Sequence, residues 1–293
     1  MRTPFPPLLA LVLVLMAATG WPRPAAATPS YDNCTGFLDP DPQAPSPQLH
    51  SVNQPGTWCL RKDLVIQFSD VTYALIDVHG DDVTIDCKGH KLQVLGGGQI
   101  DGVGASFSDR LTVRNCRFEG FKAAVAVNYG TWSNGHVVED NVMVGNDLGV
   151  YMSYSTHVVV SRNRIHGGRS AVLAYGAATI TDNLIDGAGA GVYSPVIGID
   201  DATGGEVRGN VIRNFHRHSD EFDTVAAIEV DNSSSQPVGA HVAIYDNVIS
   251  GTGEGWLLAT RCDRPTSRVA DNVIRGVGAV TEGCTVGTND VSP

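Results

Sequence analysis

Short runs of alternating apolar and polar residues recur along the chain, each followed by a polar corner: VVEDNVMVG (137–145), TITDNLIDG (179–187), AIYDNVISG (243–251) and RVADNVIRG (268–276). VSRNRIHG (160–167) and VRGNVIRN (207–214) are looser copies, and TVRNCRFEG (112–120) has cysteine where the others have asparagine. Period-two alternation predicts short strands, and the Asp-Asn and Gly punctuation predicts turns between them. Anchored on Cys116, Asn141, Asn163, Asn183, Asn210, Asn247 and Asn272, the spacings are 25, 22, 20, 27, 37 and 25 residues. A period of this size built from strands predicts coils that bury their apolar faces only by stacking on one another. A leucine-rich repeat would need its leucine pattern, which is missing, and a propeller blade would need ~40 residues per repeat. The asparagine is expected to adopt the left-handed backbone angles of the corner and to hydrogen-bond its counterpart one coil away.

A second strand follows each anchor. The ninth residue after it is Val125, Val150, Val172, Val192 and Trp256 in five coils. In the 37-residue coil the equivalent is Ile228, eighteen residues after Asn210, which leaves nine inserted residues, the length of FHRHSDEFD (215–223). If the ninth residue points inward, the tenth and twelfth point outward and stack from coil to coil. That register places Tyr151, Tyr193 and Glu229 in one outer column, and Tyr175 and Asp231 in the next.

The D-N-x-I turns and G-V-x-x strands resemble the right-handed parallel β-helix proteins of the pectin-lyase-like superfamily over roughly residues 64–284. The segments Tyr-Asp-Asn-Cys-Thr-Gly-Phe (31–37) and Gly-Thr-Trp-Cys-Leu (56–60) are similar to those of uncharacterised secreted bacterial β-helix proteins. The resemblance implies an architecture far more than an activity, because the superfamily includes lyases, hydrolases, epimerases and non-catalytic proteins. The expected fold is all-β: a single-stranded right-handed parallel β-helix (solenoid) with an N-terminal disulfide-bonded cap. We expect residues 1–27 to be a signal peptide, 28–63 the cap, 64–284 the β-helix and 285–293 a C-terminal tail.

The leader reading comes from Arg2, the apolar run Leu8–Ala18 and the small residues Ala25-Ala26-Ala27. It is too short for a span of ~20 residues, so no membrane span is expected in the mature chain. Without that leader, 18 basic side chains face 31 acidic ones, a net charge of −13, which disfavours nucleic acid and other polyanions. Six cysteines in an exported chain point to disulfides. Cys262 and Cys284 are 22 residues apart, one coil length, and are paired on that ground. Cys87 and Cys116 fall at corresponding places in the first two coils, which leaves Cys34 with Cys59; for each pair the alternative is buried free thiols.

Candidate chemistry clusters on the outer columns. Tyr151, Tyr175 and Tyr193 offer apolar rings with polar tips, suited to sugar rings, unless this is ordinary surface. Glu229 and Asp231, two apart on one strand, have Cα atoms ~6.6 Å apart on one face, near the range in which paired carboxylates hydrolyse glycosides. His216, Arg217 and His218 in the insertion supply a candidate base and a candidate partner for a substrate carboxylate, the alternative being a hydrated charged loop. Asp200 and Asp201 are candidate calcium ligands, acid catalysts or substrate contacts, although turn chemistry explains adjacent aspartates equally well. His136, His157 and His241 begin strands and are expected at the surface, because their register does not form a metal-binding row. These motifs make no cofactor certain; calcium is a candidate ion, and His216 and His218 with the nearby acids are a candidate metal pair whose spacing matches no standard signature.

The functional expectation is a monomeric, secreted or periplasmic protein that binds polysaccharide on its outer face and cleaves it by lyase or glycoside hydrolase chemistry. The alternative is a non-catalytic structural or adhesion protein of the envelope or cell surface.

Overall fold

A computed structural model describes residues 29–38, 50–67, 74–96, 99–127, 133–190, 195–200, 204–217, 225–231, 241–255, 257–263 and 265–292. Residues 1–27, where a leader is expected, and Tyr193, Asp201, His218 and the Arg217 side chain lie outside the described residues. The solenoid belongs to the unit that begins at Asn33.

The described strands form three long parallel sheets of 11, 11 and 10 strands, with one further two-stranded pair. Each coil visits the three sheets in turn. Val137–Glu139 lies in the first sheet, Val142–Val144 in the second and Leu148–Met152 in the third, and Val158–Ser161 returns to the first one coil on. The interior is a stack of apolar side chains, mostly β-branched: Val113, Val138, Val160 and Ile180 from the first sheet, Phe118, Met143, Ile165 and Ile185 from the second, Val125, Val150 and Val172 from the third. A coil alone would leave this face in water, which is why the repeat is obligatory. Strands also pair on either side of 64–284: Gly36–Phe37 and Gly56–Cys59 belong to the first sheet, and Asp290–Ser292 ends the second.

All three cysteine pairings form, Cys34–Cys59, Cys87–Cys116 and Cys262–Cys284, with Cα separations of 5.8, 4.7 and 5.0 Å. The asparagines line up as expected. Each side-chain amide donates to the next Oδ1 along Asn141, Asn163, Asn183, Asn210, Asn247, Asn272 and Asn289, at 2.9–3.0 Å. Asn289 extends the row one coil beyond the sequence anchors. The left-handed angle, however, belongs to the preceding residue: Asp140, Arg162, Asp182, Gly209, Asp246 and Asp271 have φ of 55–65°. The asparagine must turn its amide inward along the stack, so its neighbour makes the bend and keeps its own side chain in water.

Two other expectations are corrected. In the third sheet Val172 pairs with Ile197 instead of Val192, and Ile228 pairs with Thr260 instead of meeting Trp256. Extra residues enter these coils at the corner between the second and third sheets, outside the three long ladders. There Gly189–Ala190 forms a short added strand against His216 and Arg217. The inserted segment likewise begins as strand, Val211–Arg217, and buries Phe215 completely.

His136 is interior, not at the surface, while His157 and His241 are exposed. Its Nδ1 accepts the Leu111 N–H at 3.3 Å, so Nε2 carries the hydrogen and donates to Ser133 Oγ at 2.9 Å. Burial holds its pKa down at about 4, with Asp109 pulling weakly the other way. The unfolded chain takes up this proton below pH ~6.5, and the folded one only near pH 4. Stability contributed by neutral His136 is therefore complete above pH ~6.5 and lost as pH falls toward 4, by about 3 kcal/mol. Urea unfolding of the native chain and His136→Gln at pH 7 and pH 4 should show that much less acid loss in the variant; equal losses would show that His136 is not the sensitive group.

Candidate functional site

The corrected register decides what the outer face of the third sheet presents. One outward column runs Ala126, Tyr151, Leu173, Gly198, Glu229, Arg261. In the adjacent column Tyr175 pairs with Asp200. Asp231 and Asp263 follow over the next two coils, their N–H groups donating to Ile199 O at 2.9 Å and Val230 O at 3.1 Å. Asp200, Asp231 and Asp263 thus stack as one carboxylate column beside Glu229.

A cleft of about 190 Å³ opens here, lined by Leu173, Ala174, Tyr175, Pro195, Gly198, Ile199, Asp200, Glu229 and Asp231. Gly198, which has no side chain, is part of its floor. A Cβ there would come within 2.8 Å of Leu173 and 2.9 Å of Pro195 and would fill the floor between Leu173 and Glu229. The volume is below the ~300–1,000 Å³ of pockets that enclose a whole ligand. It suits one ring-sized group of a ligand that continues over the open sheet. On the N-terminal side, Tyr151 and Tyr175 pack edge to face, ring centroids 6.0 Å apart. Burial, with Tyr151 and Asp200 beside it, pushes the Tyr175 hydroxyl up to about 12, so it remains an O–H donor.

The two carboxylates of the Val225–Val230 strand and its end have different surroundings. The hydrogen-bonding proximity of the Asp263 carboxyl, with burial and the nearby charges of Asp263, Asp200 and Glu229, pushes the Asp231 pKa up to about 7. Glu229 is also pushed up by burial, but Arg261 opposes this, its Nη2 donating to Glu229 Oε2 at 2.6 Å. Burial outweighs Arg261, so Glu229 too stands above the ordinary carboxylate range; a carboxyl that holds a proton near neutral pH beside one whose negative charge an arginine offsets is an arrangement acid–base catalysis uses.

Of the residues singled out in the sequence, Tyr175, Asp200, Glu229 and Asp231 come together at the cleft, and Tyr151 packs on Tyr175. His216 lines a separate depression, with Gln99, Asp147 and Arg169. Gly198, not Tyr193, occupies the column between Leu173 and Glu229. Arg261 and Asp263 escape a sequence reading because the Trp256 register puts Leu257 and Ala259 at the outward positions. The signal that could have found them is the match of Ile-Glu-Val-Asp (228–231) to Thr-Arg-Cys-Asp (260–263). Among the described residues no group of three or more His, Cys, Asp or Glu is arranged to hold a metal ion, and no helix is long and apolar enough to cross a membrane.

Residues 65–195 match the sequence family described as "Right handed beta helix region". No curated protein sequence matches the chain. Among solved structures, the chain is similar to the tailspike protein of Acinetobacter baumannii phage AM24, at 12% identity and TM-score 0.60, covering 81% of this chain and 46% of the tailspike. An alginate lyase from Paenibacillus sp. FPU-7 aligns at 13% identity and TM-score 0.57, covering 89% of this chain and 96% of the lyase. The DFA-IIIase of Arthrobacter chlorophenolicus A6, in complex with GF2, aligns at 11% identity and TM-score 0.54, covering 96% and 89%. At such identities the likeness is one of fold.

Proposed function

Because the chain is a right-handed parallel β-helix, we propose that the outer face of its third sheet binds a polysaccharide and that the cleft hydrolyses it. The observation that carries this reading is the gathering of Asp200, Glu229 and Asp231 around a ring-sized cleft floored by Gly198 and flanked by two tyrosines. Asp231 donates its proton to the glycosidic oxygen as the bond to the anomeric carbon breaks. Glu229 takes a proton from the water that attacks that carbon, so one water is added across the bond. Asp200 accepts hydrogen bonds from sugar hydroxyls, and Tyr175 donates one. Elimination from a uronate is less well served, since the cleft is lined by acids and Arg261 is engaged by Glu229. A neutral glycan also suits the net charge of −13 expected for the mature chain. The three disulfides fit an oxidising, extracytoplasmic location.

The test incubates the mature chain with neutral and uronic-acid polysaccharides, following new reducing ends and ultraviolet-absorbing unsaturated products. Reducing ends from a neutral glycan, abolished in Glu229→Gln, are expected. Unsaturated products would overturn hydrolysis in favour of elimination, and binding with neither product would make the face a non-catalytic platform.

A further inference from the structure

The two carboxylates assigned to acid and base work sit on one strand and share one solvent boundary, so something outside the cleft must set them apart. The next coil places a second pair directly behind them. Glu229 is in register with Arg261, and Val230 with Cys262. Asp263 follows, its N–H bonded to Val230 O, so it stacks on Asp231. The Arg261–Glu229 ion pair measures 2.6 Å, with the side chains only 21% and 19% exposed, so neither charge is well solvated apart from the other. Neither Arg261 nor Asp263 lines the cleft. Between them Cys262 turns into the core and is bonded to Cys284 of the following coil, which ties down the strand that carries both.

We propose that Arg261 and Asp263 are positioning residues that divide the roles of Glu229 and Asp231, Arg261 holding Glu229 as the anion and Asp263 sharing a proton with Asp231. This rests on the hydrolytic reading of the cleft, yet it concerns the state of two carboxyl groups that can be observed without substrate. The charged and titratable groups acting on Glu229 are Arg261, Asp263 and Asp200; those acting on Asp231 are Asp263, Asp200 and Glu229. In Arg261→Met, Glu229 keeps its burial and its acidic neighbours and loses its only cation among these. In Asp263→Asn, Asp231 gains an amide that donates to its anion and loses the carboxyl with which it shared a proton.

The experiment titrates the folded protein carrying ¹³C-labelled Asp and Glu carboxyls, the two signals assigned by their loss in Asp231→Asn and Glu229→Gln. Arg261→Met should raise the Glu229 midpoint by about one pH unit or more, while Arg261→Lys keeps it within about half a unit of the native value. Asp263→Asn should lower the Asp231 midpoint by about one unit or more. A Glu229 midpoint that does not move in Arg261→Met, or Lys no better than Met, would overturn the role of Arg261. An unmoved Asp231 would overturn that of Asp263. These readings stand even if no glycan is cleaved, an outcome that would sink the hydrolytic reading alone. With a cleaved glycan in hand, Arg261→Met should lower kcat about tenfold or more at little change in KM; a raised KM at constant kcat would make Arg261 a ligand contact and overturn its positioning role.

Discussion

Replacing Asn183 by alanine is expected to destabilise the folded chain by about 4 kcal/mol, from four hydrogen bonds at ~1 kcal/mol each. Its Oδ1 accepts the Asn163 N–H at 2.9 Å and the Asn163 side-chain amide at 3.0 Å. Its Nδ2 donates to Val160 O at 2.9 Å and to Asn210 Oδ1 at 3.0 Å. The site is 1% exposed, so water cannot replace these partners without opening the corner. Alanine leaves the Asn163 backbone N–H and the Val160 carbonyl buried without them, and an unmade buried bond costs more than a made one contributes. Because each coil touches only its neighbours, the damage falls on one interface in the middle of the stack. Urea unfolding should show a lower midpoint and a broader transition as the two halves lose cooperativity. The Asn289 side chain also makes four such bonds, with the Asn272 N–H and side-chain amide, Val269 O and Gly287 O, but it ends the row and is only partly buried, so water can replace these partners and the same change there should cost about half as much, ~2 kcal/mol. A loss at Asn183 no larger than at Asn289 would mean that the ladder is not a structural element.

Asp231→Asn is expected to slow hydrolysis of an unactivated glycan by about 100- to 10,000-fold, the usual contribution of a general acid. The amide preserves shape and the ligand's hydrogen bonds, so affinity measured by calorimetry should change little. A substrate whose leaving group needs no proton, such as a nitrophenyl glycoside, should lose far less. The native acid must be protonated to act, and its pKa is raised to about 7. Activity on natural glycan should therefore be present below about pH 7 and decline as pH rises through that value, whereas at low pH it declines once Glu229 is protonated. An undiminished rate in Asp231→Asn, or activity that rises above pH 7, would remove Asp231 from this role.

Much of the fold is legible in the amino-acid order. Asparagine anchors about one coil apart, the strand alternation between them and cysteines one coil apart state the ladder, the core and the disulfides directly, because each is a local pattern repeated. The third sheet is harder. A count of nine residues from Asn183 lands on Val192, while the strand that pairs there is reached only at Ile197. Nothing local betrays the difference, since extra residues at a corner cost little and leave the alternation of the following strand intact.

What the amino-acid order determined by itself is the stacking: apolar period, corner asparagines and cysteine spacing act between adjacent coils and permit one repeat architecture. What only the tertiary structure decided is the register between corners, and with it which side chains meet. It made Asp200 a neighbour of Glu229 and Asp231, left Gly198 as the floor of the cleft, and set Arg261 and Asp263 behind the two carboxylates. The physical reason is that pairing is chosen by the sum of ladder hydrogen bonds and buried methyl groups over a whole sheet, a quantity no single segment carries.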